Sequence, residues 1–140
     1  MQRQTHIPSE PMTGFMTTTD GKTVVAARLI YKAADPYAVT ATITDPAGVI
    51  QIWRIGRDLM LAGLAAPESE PAGLDRLRVW ARERPGGHAF MVAMTASFLA
   101  VLELDLAEVA AFLATTLDAL PRGAEGLHLD FDAELDQLVG

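Results

Sequence analysis

Apolar and polar residues alternate strictly along Tyr37–Thr44, with Val39, Ala41 and Ile43 on one side and Thr40, Thr42 and Thr44 on the other. A period of two places one face of a strand in the core and leaves the other wetter. The same period recurs at Val49–Ile55, where Val49, Gln51, Trp53 and Ile55 share a face and Ile50, Ile52 and Arg54 share the opposite one. It recurs again at Leu74–Arg82, with Leu77, Val79 and Ala81 opposite Arg76, Arg78, Trp80 and Arg82. Met12–Thr19, Thr23–Tyr31, His88–Met94 and Phe98–Leu104 are further strand candidates, and His88–Met94 is apolar on both faces, as a central strand is. Asp20-Gly21, Asp35-Pro36, Asp45-Pro46-Ala47-Gly48 and Pro85-Gly86-Gly87 punctuate these runs as turns. In the two Asp-Pro turns the proline takes the second position, where its fixed φ is preset.

Two segments change to the helical period. Arg57–Leu64 sets Leu59, Met60 and Leu64 on one side, and Gly63 lies near its end, where a left-handed residue ends a helix well. After Asp105, a plausible N-cap with Glu108 three residues on, the stripe Leu106, Val109, Ala110, Leu113 and Leu117 predicts a long helix that Pro121 and Gly123 stop. Asp130 or Asp132 caps a short last helix with Leu135, Leu138 and Val139 inward. Ala65–Gly73 (AAPESEPAG) reads as a mobile surface loop. Thr95–Phe98 joins two strands without Gly, Asn, Asp or Pro, so Phe98 is either tucked under the long helix or offered to another chain. The expected class is α+β: about seven antiparallel strands, a short mid-chain helix and a long C-terminal helix. Residues 1–11, with Pro8 and Pro11 among polar residues, form an expected flexible leader, and 12–140 one domain.

Composition narrows function mainly by exclusion. The chain has 140 residues, half of them hydrophobic, and no cysteine, so thiol catalysis, zinc–thiolate sites and disulfides are out. No run of eighteen apolar residues predicts a membrane span, and the polar N-terminus lacks a secretory h-region, which makes the cytoplasm the expected location. A net charge of −7 disfavours nucleic acid and anionic lipid. Arg76, Arg78, Arg82 and Arg84 are the candidates for a local basic patch, and a solvated strand edge is the better reading of them.

Candidate chemistry is thin. His6, His88 and His128 have no nucleophile or acid at a telling spacing, and no metal-binding or phosphate-loop string occurs. The carboxylates at Asp130, Asp132, Glu134 and Asp136 suit helix capping better than acid–base work. Trp53 reads as core, and Trp80 as a sheet–helix or subunit contact. Asp58 suits a helix N-terminus, while Arg57 can serve either a distant carboxylate or a partner.

Three strings in fixed order are the most specific feature: LIYKAADPYAV at Leu29–Val39, with Asp35, Pro36 and Tyr37, then WRIGRDLMLAGL at Trp53–Leu64, then LRVWAR at Leu77–Arg82. With FLATTLDALPRGAE at Phe112–Glu125 and HLDFDAELDQLV at His128–Val139, the chain from about Phe15 to Val139 resembles the SsgA-like proteins, actinomycete regulators of sporulation and cell division. The chain departs from that family's pattern at Ile50-Gln51-Ile52, where acidic residues are usual, at Ala81-Arg82, where proline is usual, and at the Thr95–Phe98 turn. The resemblance implies a Whirly-like fold, assembly as a homotrimer, no enzymatic activity and no cofactor. It also implies recruitment to division septa through contacts with the tubulin-like protein FtsZ or with family paralogues. Kinship with Whirly-type folds leaves single-stranded nucleic-acid binding as the alternative. Glu68, Glu70, Arg76, Arg78, Arg82 and Phe98 are the candidate partner surface.

Overall fold

Alternation along the chain becomes a single antiparallel sheet in the computed structural model, which describes residues 6–96 and 99–126. Its strands are β1 (His6–Pro8), β2 (Met12–Thr18), β3 (Gly21–Lys32), β4 (Asp35–Thr44), β5 (Ile50–Gly56), β6 (Leu77–Arg84), β7 (Gly87–Thr95) and β8 (Leu99–Asp105). The order across the sheet is β5-β4-β3-β2-β8-β7-β6, curved into a half-barrel, and β1 pairs with the far end of β3. Helix α1 (Arg57–Gly63) follows β5 and packs on β4 and β6, while α2 (Leu106–Ala119) packs on β7 and β8. The expected α+β class holds, as do the strand faces: Val39, Ala41 and Ile43 are buried, and Thr40, Thr42 and Thr44 are half-buried. β7 is buried on both faces at Ala89, Phe90, Met91 and Val92.

Local chemistry explains most boundaries. Asp105 caps α2 by accepting from the Glu108 amide at 3.1 Å, and its other carboxylate oxygen takes a 3.0 Å bond from Arg84. Gly48 N donates to Asp45 O at 2.9 Å, closing the Asp45–Gly48 turn with Pro46 where its φ is needed. The buried side of α2 is Val109, Phe112, Leu113 and Thr116, so the stripe is rotated from the expected one and Leu117 is only half-buried. The expected last helix beyond Asp130, together with His128, lies outside the described residues.

Three expectations are corrected. Asp35-Pro36 is not the turn: Ala33 and Ala34 turn the chain, and Asp35 already pairs with Lys32. The ladder then shifts between Tyr31 and Lys32, leaving Pro36, Tyr37 and Ala38 as a wide bulge on β4. Proline is tolerated there because a bulged residue owes the ladder no N–H. Gly63 is not a left-handed stop, since it is absent from the positive-φ residues. A Cβ at Gly63 would collide with the Val79 side chain, so glycine is what lets α1 close onto β6. Residues 6–11 of the expected flexible leader are held: His6–Pro8 pairs with Ile30–Lys32, and Ser9 N donates to Leu29 O at 2.7 Å while Ser9 Oγ accepts from Leu29 N at 2.9 Å.

Gly63→Ala should therefore lower stability by about 1–3 kcal/mol in urea unfolding, the usual cost of overpacking a tight contact. Gly56→Ala, whose Cβ would meet nothing nearer than 3.7 Å, should stay within about 0.5 kcal/mol of wild type. Equal effects at the two positions would remove the close-approach explanation.

Candidate functional site

Two of the three strings meet at one buried cation, Arg57 of the second string beside Tyr31 of the first. Arg57, the first residue of α1, is completely buried. Its Nη1 donates to the carbonyls of Thr116 at 3.1 Å and Leu120 at 2.6 Å, in the last turn and at the C-cap of α2, and Thr116 O also accepts from Leu120 N. Its Nη2 donates to Glu125 Oε2 at 2.9 Å, and Glu125 Oε1 accepts from Gly123 N at 2.6 Å. The guanidinium carbon also sits 5.0 Å from the centre of the Tyr31 ring. One planar fork thus terminates α2, neutralises a buried carboxylate and stacks on a core aromatic, a combination the point charge of lysine does not reproduce. Its Nε has no hydrogen-bond partner among the described residues.

The neighbouring motif residues extend this joint. Tyr31 donates its hydroxyl to Pro36 O at 3.0 Å, pinning the bulge that interrupts β4. Asp35 accepts two bonds from Arg54, at 3.0 and 2.7 Å, so the first string is tied to the second across the β4–β5 ladder. Asp58 meets Arg122 at 3.1 Å on the surface, directly outside the buried pair. The adjacent Arg57 and Asp58 therefore point in different directions and hold the same turn after α2, one from within and one from outside. Trp53 is buried in the main core, with its indole N–H given to Gln51 at 3.2 Å.

Electrostatics follow the contacts. The Glu125 carboxyl is held below its ordinary value, first by main-chain hydrogen bonding and then by Arg57. Asp35 is lowered chiefly by its hydrogen bonds from Arg54, and Glu68 chiefly by its bond from Arg82. Burial raises the Tyr31 phenol, with Arg57 pulling partly against it. A depressed carboxylate stabilises the fold above its unfolded pKa and loses that contribution as pH falls through the folded value.

The remaining candidates lie apart from this joint. Trp80 is buried with Ala89 and Met91 on the outer face of the sheet, beneath Ala66 of the 65–73 loop. Arg82 pairs with Glu68 of that loop and Arg78 donates to Gly73 O at 3.1 Å, so both arginines fasten it down. The loop also bonds to β6 along its main chain, as Ala81 N to Ala66 O at 2.9 Å shows. Arg84 is spent on Glu103 and Asp105. Glu70 and Arg76 are exposed nearby, and Phe98 lies outside the described residues. Sequence reasoning missed Thr116 and Glu125 as the partners of Arg57. Glu125 is 68 positions away, and no local spacing reports such a pairing.

No cluster of three His, Cys, Asp or Glu side chains among the described residues stands ready for a metal, and no described helix is long and apolar enough to cross a membrane. Two open grooves are present. One of about 420 Å³ lies between residues 7–12 and α2, and one of about 390 Å³ lies between the β2–β3 and β4–β5 turns. Neither contains the buried ion pair.

Arg57→Ala should cost about 3–5 kcal/mol in chemical denaturation, because it leaves the buried Glu125 carboxylate without its countercharge and the Leu120 carbonyl without its donor. Arg57→Lys should recover only part of this. A loss below about 1 kcal/mol for Arg57→Ala would show that the joint is dispensable. The midpoint of thermal unfolding should be level near neutral pH and fall below about pH 4, where carboxylates protonate. Glu125→Gln should make that acid limb shallower, and an unchanged limb would contradict the assignment.

Comparison with known proteins agrees with this geometry. A family model described as "Streptomyces sporulation and cell division protein, SsgA" matches residues 25–125, a stretch that ends on the carboxylate holding Arg57. The sporulation-specific cell division protein SsgB of Frankia casuarinae is 34% identical over 116 residues, spanning 82% of this chain and 78% of the relative. SsgB of Streptomyces coelicolor is 33% identical over 125 residues, spanning 89% and 88%. A solved structure reported under "Mutations in SsgB correlate to longitudinal cell division during sporulation of Streptomyces coelicolor" superposes with a TM-score of 0.80 at 29% identity, over 91% of this chain and 98% of the other. An SsgA-like sporulation-specific cell division protein from Thermobifida fusca superposes with a TM-score of 0.85 over 98% of both chains, and at 23% identity it speaks for the fold alone. The order of the three strings, the curved sheet with its two helices and these matches together make the chain a member of the SsgA family of sporulation and cell division proteins.

Proposed function

We propose that this protein is a non-enzymatic adaptor of sporulation-specific cell division, helping to position the septum or local cell-wall synthesis through protein–protein contacts. Family membership carries the reading. The disposition of charge supports it: the strongly interacting ionic groups are buried around Arg57, tie the 65–73 loop to β6, or link strands to one another. In this reading the protein is cytoplasmic, assembles with itself as a homotrimer, and is recruited to division septa by FtsZ or by family paralogues. Its partner surface is the exposed ground around β6 and the loop before it: Glu68, Glu70, Arg76, Arg78 and Arg82, together with Phe98. The engagement of Arg78, Arg82 and Arg84 with protein acceptors argues against the nucleic-acid alternative, since phosphate binding depends on available cations.

A fluorescent fusion should concentrate at sporulation septa, and affinity capture should recover FtsZ or a paralogue. Reversing charge with Glu70→Lys and Arg76→Glu should disperse the fusion while leaving the unfolding free energy of the purified protein within about 0.5 kcal/mol of wild type. A diffuse wild-type fusion with no division protein captured would refute the adaptor reading.

A further inference from the structure

The two edges of the sheet are treated differently. Along β6 the preceding loop acts as a cover: Ala72 and Val79 exchange two main-chain bonds, at 2.8 and 2.9 Å, and Ala81 N donates to Ala66 O. Along β5 no such cover exists among the described residues. Its segment IQIWRIG has no proline and no lysine, and its only charge, Arg54, is held by Asp35. Folded proteins normally protect an open edge with such devices or cover it. The side chains of Ile50 and Ile52 stand on the outer face and are 58% and 70% exposed.

The main-chain phase of this edge follows from its first bond. Asp45 N donates to Val49 O at 3.0 Å, which makes Asp45 and Val49 a hydrogen-bonded pair at the head of the β4–β5 ladder. Such pairs alternate in antiparallel sheets. Gln51, Trp53 and Ile55 therefore direct their N–H and C=O groups toward β4, while Ile50, Ile52 and Arg54 direct theirs toward the open edge.

The chain itself arrives at the end of this edge. Glu125 bonds Arg57, the residue after β5, and a Cβ on Gly126 would meet the Tyr37 hydroxyl at 3.3 Å. Tyr37 precedes Ala38, which pairs with Gly56, the last residue of β5. Gly126 therefore stands near the C-terminal end of β5, and a chain continuing along the edge from there runs antiparallel to it. In the sequence that follows, Leu127, Leu129 and Phe131 alternate with His128, Asp130 and Asp132. That is the period of a strand with one apolar face. Residues 127–131 match in number the run from Arg54 back to Ile50.

We propose that residues 127–131 of this chain add to the sheet as a strand antiparallel to β5 and cover its open edge. With Gly126 beside Ile55, Leu127 faces Arg54, Leu129 faces Ile52 and Phe131 faces Ile50. Each falls opposite a residue whose N–H and C=O point outward, so ladder bonds and apolar cross-strand pairs form together. A slip of one residue would set Asp130 and Asp132 against the isoleucines, which fixes the phase. A segment tethered at the end of the edge meets it at an effective concentration in about the millimolar range, ahead of a free strand from another molecule. The strand ends before Asp132, one of the two expected caps of the last helix. The pairing lies within one chain, so it is compatible with a homotrimer and does not depend on the division role.

Hydrogen exchange of the full-length protein reads the outward amides directly. Those of Ile50, Ile52 and Arg54 should exchange at least about tenfold more slowly than the amide of Ser69 in the exposed loop. Leu129→Pro removes a ladder donor and should erase that protection while the amides of β7 keep theirs. Because the chain contains no cysteine, paired substitutions give an independent reading. Under mild oxidation Ile52→Cys with Leu129→Cys should close a disulfide within one chain about tenfold faster than Ile52→Cys with Asp130→Cys, which places the second thiol on the opposite face. Unprotected outward amides in the wild type, or equal closure by the two pairs, would overturn the proposal. So would a disulfide formed between two chains, which would assign the edge to a second copy.

Discussion

A guanidinium buried at the start of α1 is the constraint around which the rest of the fold is arranged. Arg57 leaves water completely, which is costly, and it is offset by acceptors from three directions: the end of α2, the Glu125 carboxylate and the Tyr31 ring. Each acceptor sits on an element that another motif positions. Tyr31 lies on β3 and secures the Pro36 bulge, while Glu125 follows the turn after α2 that Arg122 ties to Asp58. Removing the cation would leave a buried carboxylate without its countercharge and the Leu120 carbonyl without its donor. The first two strings are therefore parts of one joint between sheet and helix, while the third fastens the 65–73 loop to β6.

The chemistry of the joint is structural in character. Its buried polar groups, Arg57, Thr116 and Glu125, satisfy one another or nearby main chain instead of lining a groove. Surface arginines follow the same economy. Arg82 and Arg78 hold the 65–73 loop over Trp80 and along β6, and Arg84 links β6 to β8 and to the cap of α2. Apolar side chain is left bare at β5 and the bulge, where Ile50, Ile52 and Tyr37 are more than half exposed.

Much of the fold was legible because its causes are local. The alternation at Val39, Ala41 and Ile43, the Asp45–Gly48 turn and the Asp105 cap each act within a few residues, and each appears where the sequence predicts it. Features with non-local causes were not legible. Asp35-Pro36 carries a strong turn signature, yet the two alanines before it turn the chain, because Tyr31 and the β5 ladder hold the proline in a bulge. Gly63 looks like a helix stop, and only the proximity of Val79 shows why glycine stands there. The polar stretch before Met12 gives no pattern of its own, and its order comes from bonds to β3. For the site, Arg57 was singled out with its role undecided, and the decision lies with a carboxylate and helix end that folding brings to it.

Native-state hydrogen exchange, compared between wild type and Arg57→Met, tests the joint most directly. If Arg57 couples the elements, the amides of α1 and of the last turn of α2 lose protection together and by similar factors in the variant, while those of β7 and β8 keep theirs. Loss confined to α1, with the Thr116–Leu120 turn as protected as before, would show that the two helices are held independently and that Arg57 is not the centre of the structure.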